Sequence, residues 1–238
     1  MKKVLFALML LVGIVSADPT RILVYYDYYA PTGQAVLTAI TNIWPGTELA
    51  SYDGYPSAEH ALFNDALATG PWDMVIVESW YAANSDLNWT GILNYYNGGG
   101  TLYVSSWNYN SAGGLLAAMG VNAVTGFGSP VIPHYAWDAA HPICEGITDW
   151  GWFDPGLGIV NGRVTVGTAT PVTGWTSSPT AGQAGIVVCP DGHSIVSGFT
   201  VAYANDAVNI WENIVQFMYG EEGLSPATWG EIKAGFGI

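Results

Sequence analysis

The sequence predicts an α/β fold: a mostly parallel, doubly wound sheet with helices on both faces, extended by antiparallel strands in its C-terminal half. Two observations carry the parallel part. Strand-like runs at 21–27, 48–53, 72–79 and 101–105 alternate with segments of helical spacing at 34–44, 57–67 and 87–96, and such alternation implies right-handed crossovers between parallel strands. The runs Ile22-Leu23-Val24-Tyr25 and Met74-Val75-Ile76-Val77 are apolar without a break, the pattern of strands buried on both faces. A third observation covers the rest. After Gly120 the chain turns to β-prone segments at 163–170, 185–189 and 194–199, the last two joined by the turn Pro190-Asp191-Gly192.

Each element has a local reason. The first strand ends in Asp27, and Pro31-Thr32-Gly33 separates it from a helix with Val36, Leu37, Ile40 and Trp44 on one face, closed by Pro45-Gly46. Ser57 suits the N-cap of the second helix, whose inner face is expected to hold Ala61, Leu62, Ala66 and Leu67. The run Asn97-Gly98-Gly99-Gly100 ends the third helix and opens Thr101-Leu102-Tyr103-Val104-Ser105, placed as the central strand. A polar-aromatic loop, Ser106-Trp107-Asn108, then precedes a small-residue helix at 113–119. Residues 206–218 form an amphipathic helix, with Val208, Trp211, Ile214, Val215 and Met218 on one stripe.

Residues 1–17 have the make-up of a secretory signal peptide: Lys2 and Lys3, an apolar run from Val4 to Val15, and Val15-Ser16-Ala17 as a small-residue cleavage site. The run is too short to span a membrane and no second candidate follows. The expected organisation is a signal peptide at 1–17, one α/β domain at 18–220, and a tail at 221–238 in which Trp229, Ile232 and Phe236 are spaced for one short helix face. Cleavage near Ala17 would leave a secreted or periplasmic protein. Without Lys2 and Lys3, the basic residues Arg21, Arg163 and Lys233 face 19 acids, a net charge of about −16. That excludes nucleic acid as a partner, because no basic patch is present to release counterions. An apolar content of 50% excludes disorder. In an oxidising compartment a bridge between Cys144 and Cys189 is allowed; the alternative is a buried free thiol in the strand Ile186-Val187-Val188-Cys189.

Ligands of open α/β sheets sit outside the carboxyl ends of the strands. Those ends here carry Asp27 and Tyr28, Asp53, Glu78 and Trp80, then Ser106, Trp107 and Tyr109. The expected ligand site lies between the loops after the first, third and fourth parallel strands, lined by Asp27, Tyr28, Glu78, Trp80, Ser106, Trp107 and Tyr109, with Tyr135 and Trp137 as further candidates. Aromatic faces beside carboxylates and amides suit carbohydrate, although Trp and Tyr also serve simply as core filling.

Three features together resemble the glutamine amidotransferase-like (flavodoxin-like) domain of class I, in the divergent form of secreted bacterial proteins. They are the element order up to Gly120; the segment His141-Pro142-Ile143 with Gly146, similar to His-Pro-Ile-x-x-Gly; and a closing run. That run goes from Ala184-Gly185-Ile186-Val187-Val188 through Asp191-Gly192 to Ser194-Ile195-Val196-Ser197-Gly198-Phe199, and ends in a helix with Asn209, Asn213 and Ile214. The tail 225–233 also resembles a segment that follows such domains. Catalytic members place a Cys on an elbow of the form Gly-x-Cys-x-Gly, served by a later His and an acid, and the elbow's sharpness needs small neighbours. The matching place here reads Val104-Ser105-Ser106-Trp107-Asn108, without cysteine or flanking glycine.

Two functions therefore compete. The first is a non-catalytic binding or scaffold domain, with carbohydrate or another extracellular protein as partner and no cofactor. The second is a hydrolase, with Ser106 as nucleophile served by His134 or His141, or with Asp27, Asp53 and Glu78 holding a hard cation. Against the second, serines in polar loops ordinarily bond their own backbone, His141 before Pro suits a turn, and strand-end acids are commonly caps.

Overall fold

The structure, a computed structural model, describes residues 18–27, 34–80, 86–107, 109, 112, 114–125, 133–153 and 161–220. The expected signal peptide at 1–17, Tyr28 and the expected short helix in the tail 221–238 lie outside the described residues.

The first half alternates as its periodicity dictates: β1 (Arg21–Asp27), α1 (Ala35–Ile43), β2 (Glu48–Tyr55), α2 (His60–Thr69), β3 (Met74–Ser79), α3 (Trp89–Asn97), β4 (Thr101–Ser106) and the short α4 (Leu115–Ala118). The second half adds β5 (Val121–Thr125), β6 (Tyr135–Ala136), β7 (Arg163–Val166), β8 (Thr170–Pro171), β9 (Thr173–Gly174), β10 (Ile186–Val188), β11 (Ile195–Ser197) and α5 (Ala207–Tyr219). The main sheet has the order β2-β1-β3-β4-β11-β10-β8, so β4 is its central strand. β2, β1, β3, β4 and β11 are mutually parallel, while β10 runs antiparallel between β11 and β8. The flavodoxin-like doubly wound sheet is thus present, with its antiparallel extension beyond β11.

Side-chain alternation along the buried strands feeds two cores. Ile22, Val24, Met74, Ile76, Tyr103 and Ile195 pack on one face, beneath α1 and α5. Leu23, Val75, Val77, Leu102, Val104 and Val196 pack on the other, beneath α2, α3 and α4. Among the described residues no helix is long and apolar enough to cross a membrane.

Two expectations are corrected and one open alternative is decided. On α2 the buried residues are Phe63 and Leu67, whereas Ala61 is exposed and Leu62 is 54% exposed; the helix starts three residues after Ser57, whose hydroxyl bonds Asp53 instead of capping it. The segment 163–170 is two strands, not one. At the break, the N–H groups of Gly167, Thr168 and Ala169 all converge on the Gly120 carbonyl at 2.8–3.0 Å, so β7 leaves to pair with β5 and β8 joins the main sheet. The two cysteines are free and buried in different cores, Cys144 on the α1/α5 face and Cys189 on the other. With the sheet between them they form no bridge, and burial pushes the Cys144 thiol up to about 12 and raises that of Cys189 as well.

Candidate functional site

The chain steps from β1 to β2 on one side and returns across β1 to β3 on the other, which makes the carboxyl ends of β1 and β3 the topological switch point. Register sets two rows of side chains there. Tyr26, Glu78, Ser105 and Ser197 stand side by side on the α1/α5 face, and Asp27, Ser79 and Ser106 on the opposite face.

Asp27 and Glu78 are both completely buried, and they are held very differently. Onto Asp27 converge the Tyr25 hydroxyl at 3.1 Å, the Ser79 hydroxyl at 3.3 Å and the Trp80 backbone N–H. Burial first, then the nearby Asp27, raises the Tyr25 phenol. Glu78 has far less. Its Oε1 accepts from the Tyr103 hydroxyl at 3.3 Å, and its Oε2 has no hydrogen-bond partner among the described residues. Desolvation raises its carboxyl well above the usual range; the Tyr103 hydrogen bond opposes this, the charge of Asp27 adds to it, and the Val201 N–H favours the charged form least. Burial does the same to the Tyr103 phenol.

Trp80 belongs to this buried layer, since its indole N–H donates to Ser105 Oγ at 3.0 Å. Ser106 is buried at the last position of β4. Its N–H donates to the Tyr109 hydroxyl at 3.0 Å, and the next N–H, of Trp107, donates to the Ser79 carbonyl at 3.3 Å. Among the described residues Ala58 alone has positive φ without being glycine, so Ser106 sits on no strained elbow. Trp107 is half-buried and belongs to neither core, while Tyr109 packs on the α2–α4 side.

The two histidine candidates lie on the face opposite Ser106. His134 is buried, stacked on Phe199 at 4.1 Å and flanked by Trp175 and Trp150; its Nε2 is 3.0 Å from the Thr173 hydroxyl and its Nδ1 has no hydrogen-bond partner among the described residues. Burial lowers its pKa to about 3. His141 caps the 3-10 turn Pro142–Cys144, accepting from the Ile143 N–H at 3.2 Å, and packs on Phe217 of α5. Neither forms a dyad with Ser106. The acids do not converge on a cation either, because Asp53 is committed to the Tyr55 N–H and the Ser57 hydroxyl, and no group of three metal-ligating side chains occurs among the described residues.

Sequence reasoning passed over one feature of this edge. A groove of about 510 Å³ runs between the N-terminal turns of α1 and α5, lined by Gln34, Thr38, Phe153, Ala202, Asn205 and Val208 among others. Phe153 is 40% exposed and packs edge-on against Tyr203. The signals available beforehand were Phe153 itself and the small-residue run Val201-Ala202-Tyr203-Ala204.

The fold and this edge define the class: a flavodoxin-like α/β domain with a carboxyl edge packed by its own side chains. No protein-family model and no curated protein matches the chain. Among solved structures it is similar to a putative ThuA-like protein from Parabacteroides merdae, at 10% identity over 86% of this chain and 91% of that one, with a TM-score of 0.50. A glutamine amidotransferase from Thermotoga maritima aligns at 11% identity over 90% and 89% of the two chains, TM-score 0.49. The glutaminase domain of Trypanosoma brucei CTPS, solved with bound acivicin, aligns at 9% identity over 87% and 96%, TM-score 0.48. At these identities the likeness concerns fold alone.

Proposed function

We propose that this chain is an exported, non-catalytic domain of glutamine amidotransferase-like fold that binds a ligand, carbohydrate before extracellular protein, at the carboxyl edge of its sheet. The observation that carries the reading is the state of the β4 end. A hydrolytic elbow turns its nucleophile outward on a strained residue and leaves the following N–H free for the oxyanion. Here Ser106 is buried in ordinary strand geometry, and the N–H groups of Ser106 and Trp107 are already bound to Tyr109 and Ser79. Trp107, half-buried at that same end and outside both cores, supplies a ring face of the kind on which sugar CH groups stack. Export rests on Lys2, Lys3, the apolar run and Ala17.

The test is a glycan array followed by calorimetry on wild type and Trp107→Ala. Saccharide binding by wild type should weaken by about 1–3 kcal/mol in the variant, by analogy with base–aromatic stacking, with little change in melting temperature. Absence of any glycan ligand for wild type removes the carbohydrate reading. Wild type should also release no ammonia from glutamine; release that vanishes in Ser106→Ala overturns the non-catalytic reading.

A further inference from the structure

α1 and α5 lie side by side and run the same way. Their N-terminal turns share one groove, and their C-terminal ends meet where Trp44 packs edge-on against Tyr219 at 5.4 Å. Ala35, Phe153, Ala202, Ala204 and Val208 give the groove an apolar lining. Phe153 is one of two large apolar side chains exposed among the described residues, and an exposed ring beside a row of small apolar ones suits an occupant. The rim is acidic: Asn205, in the lining, donates to Asp149 at 2.9 Å, and Asp206 is the next residue along the chain.

The chain itself carries an occupant of matching pattern and charge. α5 stops at Gly220, which is left-handed with φ 72°, and residues 221–238 follow. The groove lies one helix length back, about 20 Å for the 13 residues of α5. Residues 221–228 span up to about 26 Å when extended, so Trp229 and the residues after it come within reach of the groove. Trp229, Ile232 and Phe236 have the spacing of anchors that seat one helix face in an apolar groove. Lys233 directly follows Ile232 and is the one cation of residues 18–238 besides Arg21 and Arg163, which bond Glu48 and Gln183. We propose that the tail folds back on its own chain, seating Trp229, Ile232 and Phe236 in the α1/α5 groove with Lys233 toward Asp149 and Asp206. Glu231, on the opposite flank of Ile232, then lies toward the first turns of α1 and α5, which the side chains of Gln34 and Asp206 leave uncapped. Trp107 takes no part, so the inference goes beyond the binding reading and its test needs no ligand.

Disulfide trapping in the full chain reads the contact. With one cysteine in the tail, Ala234→Cys, and one in the groove, Thr38→Cys, mild oxidation should give a cross-linked monomer about tenfold faster than with Ala61→Cys on the exposed side of α2, since docking raises the effective concentration of the paired thiols. The native Cys144 and Cys189 are buried and stay out of the reaction. Trp229→Ala combined with Ile232→Ala should abolish the preference for Thr38, and Lys233→Glu should weaken it. Equal rates at Thr38 and Ala61, a preference that survives the double tail variant, or cross-linked dimers in place of monomers overturn the proposal; the last result would give the groove to a second copy of the chain.

Discussion

Acidification from pH 6.5 to pH 3 should cost the wild-type protein roughly 4 kcal/mol of stability relative to His134→Phe. The imidazole is buried against Phe199, Trp175 and Trp150, and burial lowers its pKa from 6.5 to about 3. In the unfolded chain the ring takes up a proton as the pH falls through about 6.5, while in the folded chain it stays neutral until near 3. The unfolded state therefore binds the extra proton across that window. Stability is fully present above pH 6.5 and is lost by about 1.4 kcal/mol per pH unit below it. Glu78 works in the opposite sense, because its raised pKa makes the folded state the better proton acceptor from about pH 4.5 upward. A single acid titration of wild type would mix the two. The comparison with His134→Phe, which keeps a ring in the box and removes the titration, isolates the histidine. Urea midpoints at several pH values measure it, and parallel curves for the two proteins would sink the account.

The two halves of the chain were legible to different degrees for a physical reason. β1 and β3 could be read almost to the residue because a strand buried on both faces shows as an unbroken apolar run, and both are buried over nearly their whole length. The stripe of α5 was legible because one face is clearly apolar; Trp211, Ile214, Val215 and Met218 are all buried, with Ile210 in place of Val208, which lies at the groove. Short pairs such as β5 with β7 and β6 with β9 leave no such trace. Two-residue strands have no periodicity to read, and their places are fixed by distant groups such as the Gly120 carbonyl.

The site was half legible. That Asp27 and Glu78 end neighbouring parallel strands follows from topology, but that one gathers three donors while the other has a bare oxygen depends on Tyr25, Tyr103 and Ser79, residues that sequence spacing does not bring together. The pairing of Ser106 with His134 failed for an equally simple reason. A strand's alternation decides its side chains' faces, and counting from Leu102 and Val104 sends Ser106 to the α2–α4 face, while His134 packs on Phe199 in the other core. Parity along β4 was available in the sequence; which face receives His134 was not.

Trp211→Ala should destabilise the protein by about 3–5 kcal/mol, lowering its melting temperature by roughly 10 °C or more. Trp211 is completely buried on α5, with its ring 4.7 Å from that of Tyr103 at 56°, so it joins the closing helix to the central strand just below Glu78 and Ser105. Its removal leaves a cavity between two rigid elements, and a packed sheet cannot collapse to fill it. The indole N–H has no hydrogen-bond partner among the described residues, so it adds nothing that Phe would forfeit. Trp211→Phe should therefore recover most of the loss, which places the effect in ring packing and not in hydrogen bonding. Trp107→Ala is the contrast, since Trp107 lies outside both cores and its loss should barely move the melt. Thermal and urea unfolding of the three variants decide the matter. A Trp211→Ala melt no lower than that of Trp107→Ala would mean that α5 is not what clamps β4, and that the carboxyl edge is held from the other face of the sheet.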